Sequence, residues 1–131
     1  MSLRVGIDTV EVAAVEAALR AHGDRYLQRV YTAREVADCG GDPERLAARF
    51  AAKEATLKAL RAGAGGVPWA AVEVRRDPAG HTDLALSGAA AQLAAEAGID
   101  ELAVSLTHEA GLASAVVVAQ TAKVSRAAAD T

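Results

Sequence analysis

Residues Arg49–Leu60 read RFAAKEATLKAL. At about 100° per residue, Leu46, Phe50, Leu57 and Leu60 fall on one arc of a helix, roughly 80° wide. Lys53 lies inside that arc, Glu54 and Arg61 lie just outside it on the Phe50 side, and Lys58 is one turn beyond Glu54. The opposite side is alanine: Ala48, Ala51, Ala52, Ala55 and Ala59. Two readings are open. Alanine is the best helix former, so that side can stand in water while Lys53 snorkels. Alternatively, a helix apolar all round is buried and its charges have partners. Glu54 with Lys58 divides the same way. It is an ordinary i,i+4 pair of about 0.2–0.5 kcal/mol, or a metal ligand beside a phosphate ligand, held one turn apart.

Working outward, Asp42 as N-cap and Pro43 at the first helical position start this helix, which runs to about Arg61. Gly63, Gly65 and Gly66 end it. Upstream, Leu3-Arg4-Val5-Gly6-Ile7-Asp8 alternates as a half-buried strand, with Asp8 at its end. Val10–Ala21 reads as an alanine-rich helix stopped at Gly23, Asp24–Val30 as a second, and Thr32-Ala33-Arg34-Glu35 as a capping box opening a third. Downstream, Ala71–Arg76 and Thr82–Ser87 flank the turn Asp77-Pro78-Ala79-Gly80 as a hairpin. Ser87–Gly98 is a helix, and Leu102–His108 with Leu112–Gln120 is a second hairpin. This order predicts an α+β fold, an antiparallel sheet packed against the long helix, in one domain over residues 1–120. Residues 121–131 read as a frayed tail. Asp8-Thr9-Val10-Glu11 also matches a capping box, so Asp8 either caps the first helix or holds a metal against an anionic ligand.

Composition bounds the function. The 131 residues suffice for one domain. Hydrophobic residues make up 52% but aromatics only 3%, so the core is built from Ala, Val and Leu, and association between chains can supply further burial. A net charge of −3 argues against nucleic acid as partner. Cys39 is the only cysteine, which excludes an internal disulfide and a cysteine-based zinc site. No signal-peptide core and no membrane span is expected, and the expected compartment is the cytoplasm.

Three stretches taken together carry a resemblance: VGIDTVEV (Val5–Val12), RFAAKEATLKAL (Arg49–Leu60) and VSLTHEAGLASAVVV (Val104–Val118). In order and spacing they resemble the small acyl-carrier-protein synthases, the trimeric branch of the 4′-phosphopantetheinyl transferases. The central pattern F-x-x-K-E-A-x-x-K-A is the most specific. The resemblance implies transfer of the phosphopantetheine arm of coenzyme A to a serine of an acyl or peptidyl carrier protein, releasing adenosine 3′,5′-bisphosphate. It also implies Mg²⁺ as cofactor and a homotrimer with active sites between subunits. Residue by residue, Asp8 and Glu54 match the metal ligands, and Lys58 matches the lysine on the coenzyme A phosphates. Lys53, Arg49 and His108 match further coenzyme A-binding positions. Glu54 directly, or a metal-bound water that it orients, is the candidate base for the serine hydroxyl. The rival expectation is a non-catalytic coenzyme A- or carrier-binding protein that retains the fold.

One departure stands out. Family members usually carry a basic residue in the first helix, where it docks the acidic carrier; here the stretch is Val12-Ala13-Ala14-Val15. Just downstream, Arg20, Arg25, Arg29 and Arg34 face one acid, Asp24, a local charge of +3. Arg25 and Arg29, one helical turn apart, are the expected carrier-docking pair, against the alternative of a solvated basic face. The carrier itself, serving fatty-acid synthesis or a dedicated biosynthetic assembly, is not specified by these residues.

Overall fold

The structure, a computed structural model, describes residues 1–63 and 65–122. In chain order the elements are β1 (Ser2–Glu11), α1 (Val12–His22), α2 (Asp24–Val30), α3 (Ala33–Cys39) and α4 (Pro43–Ala59). A 3₁₀ turn (Trp69–Ala71), β2 (Val72–Arg76), β3 (Thr82–Leu86), α5 (Gly88–Glu96), β4 (Ile99–Glu109) and β5 (Leu112–Thr121) follow. β5 is the central strand of an antiparallel three-stranded sheet, ordered β1-β5-β4, and β2 pairs with β3 as a separate antiparallel hairpin. The expected α+β fold, with α4 across an antiparallel sheet, is what is observed. Among the described residues no helix is long and apolar enough to cross a membrane.

The alanine side of α4 is buried, not solvated. Ala51, Ala52, Ala55 and Ala59 lie against Ala115, Val117 and Ala119 of β5 in one core cluster. Small residues on both surfaces let backbone approach backbone, as at Gly6 of β1. A Cβ there would lie 1.9 Å from the Ala55 carbonyl oxygen, so only glycine fits. A second cluster joins Val12, Val15, Val30, Tyr31 and Leu46 at the other end of α4.

Several boundaries differ from the sequence reading. β1 does not end at Asp8; it stays paired through Glu11↔Leu112, with Asp8 opposite Ala115. α1 starts at Val12 with Glu11 as N-cap and no side-chain cap, so Asp8 is not a capping residue. The ladder to β5 satisfies backbone groups that a helix starting at Val10 would have to cap. β4 likewise begins at Ile99 rather than Leu102, with an irregularity between Ile99 and Glu101. Thr121 belongs to β5, and the rest of the expected tail lies outside the described residues apart from Ala122.

The capping box of α3 is present and does more than cap. Glu35 Oε1 accepts the Thr32 amide at 2.9 Å and lies 2.6 Å from Lys53 Nζ, while Oε2 accepts the Val74 amide at 2.7 Å. Glu35 and Lys53 are both fully buried. One ion pair thereby joins α3, α4 and β2.

Candidate active site

Asp8 alternates with Gly6 and Val10 on the face of β1 toward α4, and its side chain is largely covered. Lys58, in the last turn of α4, reaches across to it. Its Nζ lies 3.2 Å from Asp8 Oδ1 and donates to the Ile7 carbonyl at 2.9 Å. Glu54, one turn earlier, is half-buried, and its Oε1 accepts the indole N–H of Trp69 at 2.8 Å. Glu54, Lys58, Trp69, Arg29, Gly65 and Pro68 border a groove of about 630 Å³. Lys58 thus links Asp8 of β1 to the groove that it shares with Glu54 near the end of α4.

Arg49 and His108 lie elsewhere. They line a second groove of about 400 Å³ with Arg45 and Arg76, toward the start of α4. His108 Nδ1 stands 3.1 Å from Glu44 Oε2. Glu44 and Lys58 are fourteen residues apart on one helix, about 21 Å at 1.5 Å per residue. The Arg49 guanidinium donates from Nη1 to Cys39 Sγ at 3.0 Å, and Nη2 is 4.0 Å from Asp38. Its buried Nε has no hydrogen-bond partner among the described residues. Burial pushes the Cys39 thiol up from its ordinary pKa, with Arg49 opposing, so the sulfur faces Arg49 largely as a neutral acceptor.

Lys53 requires a correction. Its ammonium has three protons, and three acceptors surround it: Glu35, the Val72 carbonyl at 2.5 Å and the Trp69 carbonyl at 3.2 Å. With no exposed surface, it is not positioned to bind coenzyme A. Burial lowers its pKa and the Glu35 carboxylate pulls it back. Inside the fold its charge is matched by the Glu35 carboxylate.

Arg25 and Arg29 are exposed on α2, and the Arg29 guanidinium lies 5.9 Å from the centre of the Trp69 ring. Ala13 and Ala14 are exposed on α1. Three contributors escaped the sequence reading. Glu35 read only as a cap, and Trp69 and Arg76 were given no functional role. The pair Arg75-Arg76 at the end of a strand was the available signal for the last.

The profile of the family described as "4'-phosphopantetheinyl transferase superfamily" matches residues 4–117. The chain belongs to this superfamily. Within it, the chain is 50% identical over 130 residues to a holo-[acyl-carrier-protein] synthase of Chloroflexus aurantiacus, covering 87% of this chain and 95% of that one. A holo-[acyl-carrier-protein] synthase of Koribacter versatilis is 42% identical over 122 residues, covering 90% and 98%. The crystal structure of Helicobacter pylori holo-[acyl-carrier-protein] synthase in complex with coenzyme A superposes with a TM-score of 0.81 at 30% identity. That match covers 88% of this chain and 99% of that one. These likenesses place the chain in the holo-acyl-carrier-protein synthase branch of the 4′-phosphopantetheinyl transferases.

Proposed function

We infer that the protein moves the 4′-phosphopantetheine arm of coenzyme A onto a serine hydroxyl of an acyl or peptidyl carrier protein, releasing adenosine 3′,5′-bisphosphate. The observation that carries the reading is Lys58 joining Asp8 by a 3.2 Å contact while it shares a groove with Glu54, in a chain of the holo-acyl-carrier-protein synthase branch.

The donor chemistry fits Mg²⁺. Among the described residues no three His, Cys, Asp or Glu side chains gather as a closed cage. Two carboxylates suit an ion that prefers oxygen, keeps waters and shares substrate phosphates. The ammonium of Lys58 already rests on Asp8, so the locality is built to pair negative oxygens with positive charge. Asp8 and Glu54 would hold the ion, which when bound would neutralise charge on the pyrophosphate. Lys58, more than half exposed, is free to turn from Asp8 to a coenzyme A phosphate. Glu54 accepts the serine proton directly or through a water that it orients. Arg49, with its unpartnered Nε, and His108 supply a second phosphate-binding region in the groove they share.

A homotrimer accounts for the separation of those two regions: His108 of one subunit would complete the site of a neighbour. It also accounts for the sheet face turned away from α4. Leu3, Val5 and Ile7 of β1 are each more than 60% exposed there, and Val118 of β5 is beside them. Such a patch marks an interface. Arg25 and Arg29 would attract an acidic carrier where Ala13 and Ala14 offer no charge, in a cytoplasmic setting. The test is mass spectrometry of apo-carriers incubated with the protein, coenzyme A and Mg²⁺. Wild type should add one phosphopantetheine, and Asp8→Ala and Glu54→Ala should not. Coenzyme A binding without any mass increase would instead establish a non-catalytic binding protein.

A further inference from the structure

Lys53 and Glu54 are adjacent in α4, and both hold Trp69. Lys53 Nζ donates to the Trp69 carbonyl at 3.2 Å from inside the fold, while Glu54 Oε1 accepts the Trp69 indole N–H at 2.8 Å at the groove. The ring is fixed on its flanks by Phe50, with centroids 5.7 Å apart, and by Arg29. Its backbone is a 3₁₀ turn set by Pro68, whose carbonyl accepts the Ala71 amide at 3.0 Å. An indole N–H beside a carboxylate, on a backbone anchored by a buried ion pair, is a rigid support for a group that needs orientation.

We propose that Trp69 is the positioning residue for Glu54, an inference that rests on the transferase reading above. A glutamate side chain on a helix surface has several rotatable bonds, and freezing them costs entropy that must be met before reaction. The indole N–H engages Oε1 and leaves Oε2 to face the metal or the attacking hydroxyl. Because an indole nitrogen donates and never accepts, it orients the carboxylate without competing as a ligand. The adjacent lysine and glutamate thus have one task in two parts: Lys53 fixes the backbone of Trp69, and the side chain of Trp69 fixes Glu54.

The experiment removes the donor while keeping the ring. Trp69→Phe, and a protein carrying benzothienylalanine at position 69 with sulfur in place of N–H, should both lose kcat. The loss should be on the order of tenfold, with KM for coenzyme A within about twofold. Mn²⁺ affinity measured by electron paramagnetic resonance without coenzyme A should fall by a similar factor. Wild-type kcat and Mn²⁺ affinity in the benzothienylalanine protein would overturn the proposal, because packing alone would then explain Trp69. Trp69 is the only tryptophan, so its emission reports the contact without turnover. Glu54→Ala should shift the emission of the ligand-free protein, and an unchanged spectrum would overturn the proposal. Failure of wild type to modify any carrier would remove the transferase reading, while the emission still judges the bond.

Discussion

Replacing Gly6 by alanine would place a methyl 1.9 Å from the Ala55 carbonyl oxygen and 2.9 Å from the Ala59 amide nitrogen. Both are backbone atoms of α4, so no change of rotamer relieves the collision. The nearer gap must open to at least 3.0 Å, roughly 1 Å of movement between β1 and α4. Overpacking of this kind costs about 1–3 kcal/mol, a fall in Tm on the order of 5 °C for a chain of this size. The effect on rate should be larger in proportion. Asp8 is on the same face of β1 two residues on, while Glu54 and Lys58 ride on α4, so the displacement opens the site itself. A misplacement of about 1 Å can cost a hundredfold in rate. The assay pairs urea unfolding with phosphopantetheine transfer at a temperature where the variant is folded. Gly6→Ala with wild-type midpoint and wild-type rate would refute the direct β1–α4 contact as the frame of the site.

Lys53→Met leaves Glu35 charged in the core and should cost about 3–5 kcal/mol in urea unfolding; a raised KM for coenzyme A with an unchanged midpoint would return Lys53 to the coenzyme site. Burial raises the Tyr31 phenol well above its ordinary 10.0, so the folded chain keeps a proton that the unfolded chain loses, and this contribution to stability declines as pH rises past 10. Tyr31→Phe should therefore cost about 1 kcal/mol at neutral pH, by losing the 2.8 Å bond to the Leu46 carbonyl, and flatten the alkaline decline in urea midpoints. Ile7→Glu should dissociate the proposed trimer in light scattering without unfolding the chain, and an unchanged mass would clear that face of any role in assembly. The double variant Arg25→Ala, Arg29→Ala should raise KM for the best carrier at low salt, with the difference shrinking as salt screens charges over roughly 8 Å; no change at low salt would remove α2 from docking.

The long helix, the Thr32–Glu35 cap and both hairpins were legible because each has a local signal in period or turn chemistry. β1 was not legible past Asp8. The run Val10–Leu19 has helical composition, and it is the distant partners Ala113 and Leu112 that keep Val10 and Glu11 extended. Asp8, Glu54 and Lys58 became a group through the resemblance; the structure pairs Asp8 with Lys58 and sets Lys58 and Glu54 on one groove. The helical wheel placed Lys53 correctly among apolar neighbours, but a wheel cannot say which neighbours are already satisfied. Glu35 lies 18 positions upstream, in a segment whose own pattern explained it completely as a cap. Trp69 lacked any local signature of a polar partner, since its indole reaches Glu54 fifteen residues away.

The central place of β5 in the sheet has a consequence for how the chain reaches this fold. Among the described elements β1 precedes and its strand partner β5 follows all the others, with Ser2 paired to Thr121 across 119 positions. At about 5–20 residues per second, β1 waits on the order of ten seconds during synthesis before it can pair. Throughout that wait Leu3, Val5 and Ile7 and both backbone edges of the strand are exposed, a template for pairing with other nascent chains. The helices can form locally meanwhile, but the alanine side of α4 has no finished sheet to lie on. Loop closure over nearly the whole domain must precede its main contacts, which makes acquisition of the β1–β5 ladder the expected slow step of folding. Overproduction should therefore strain this protein at the stage of the emerging chain, before Asp8 has ever met Lys58.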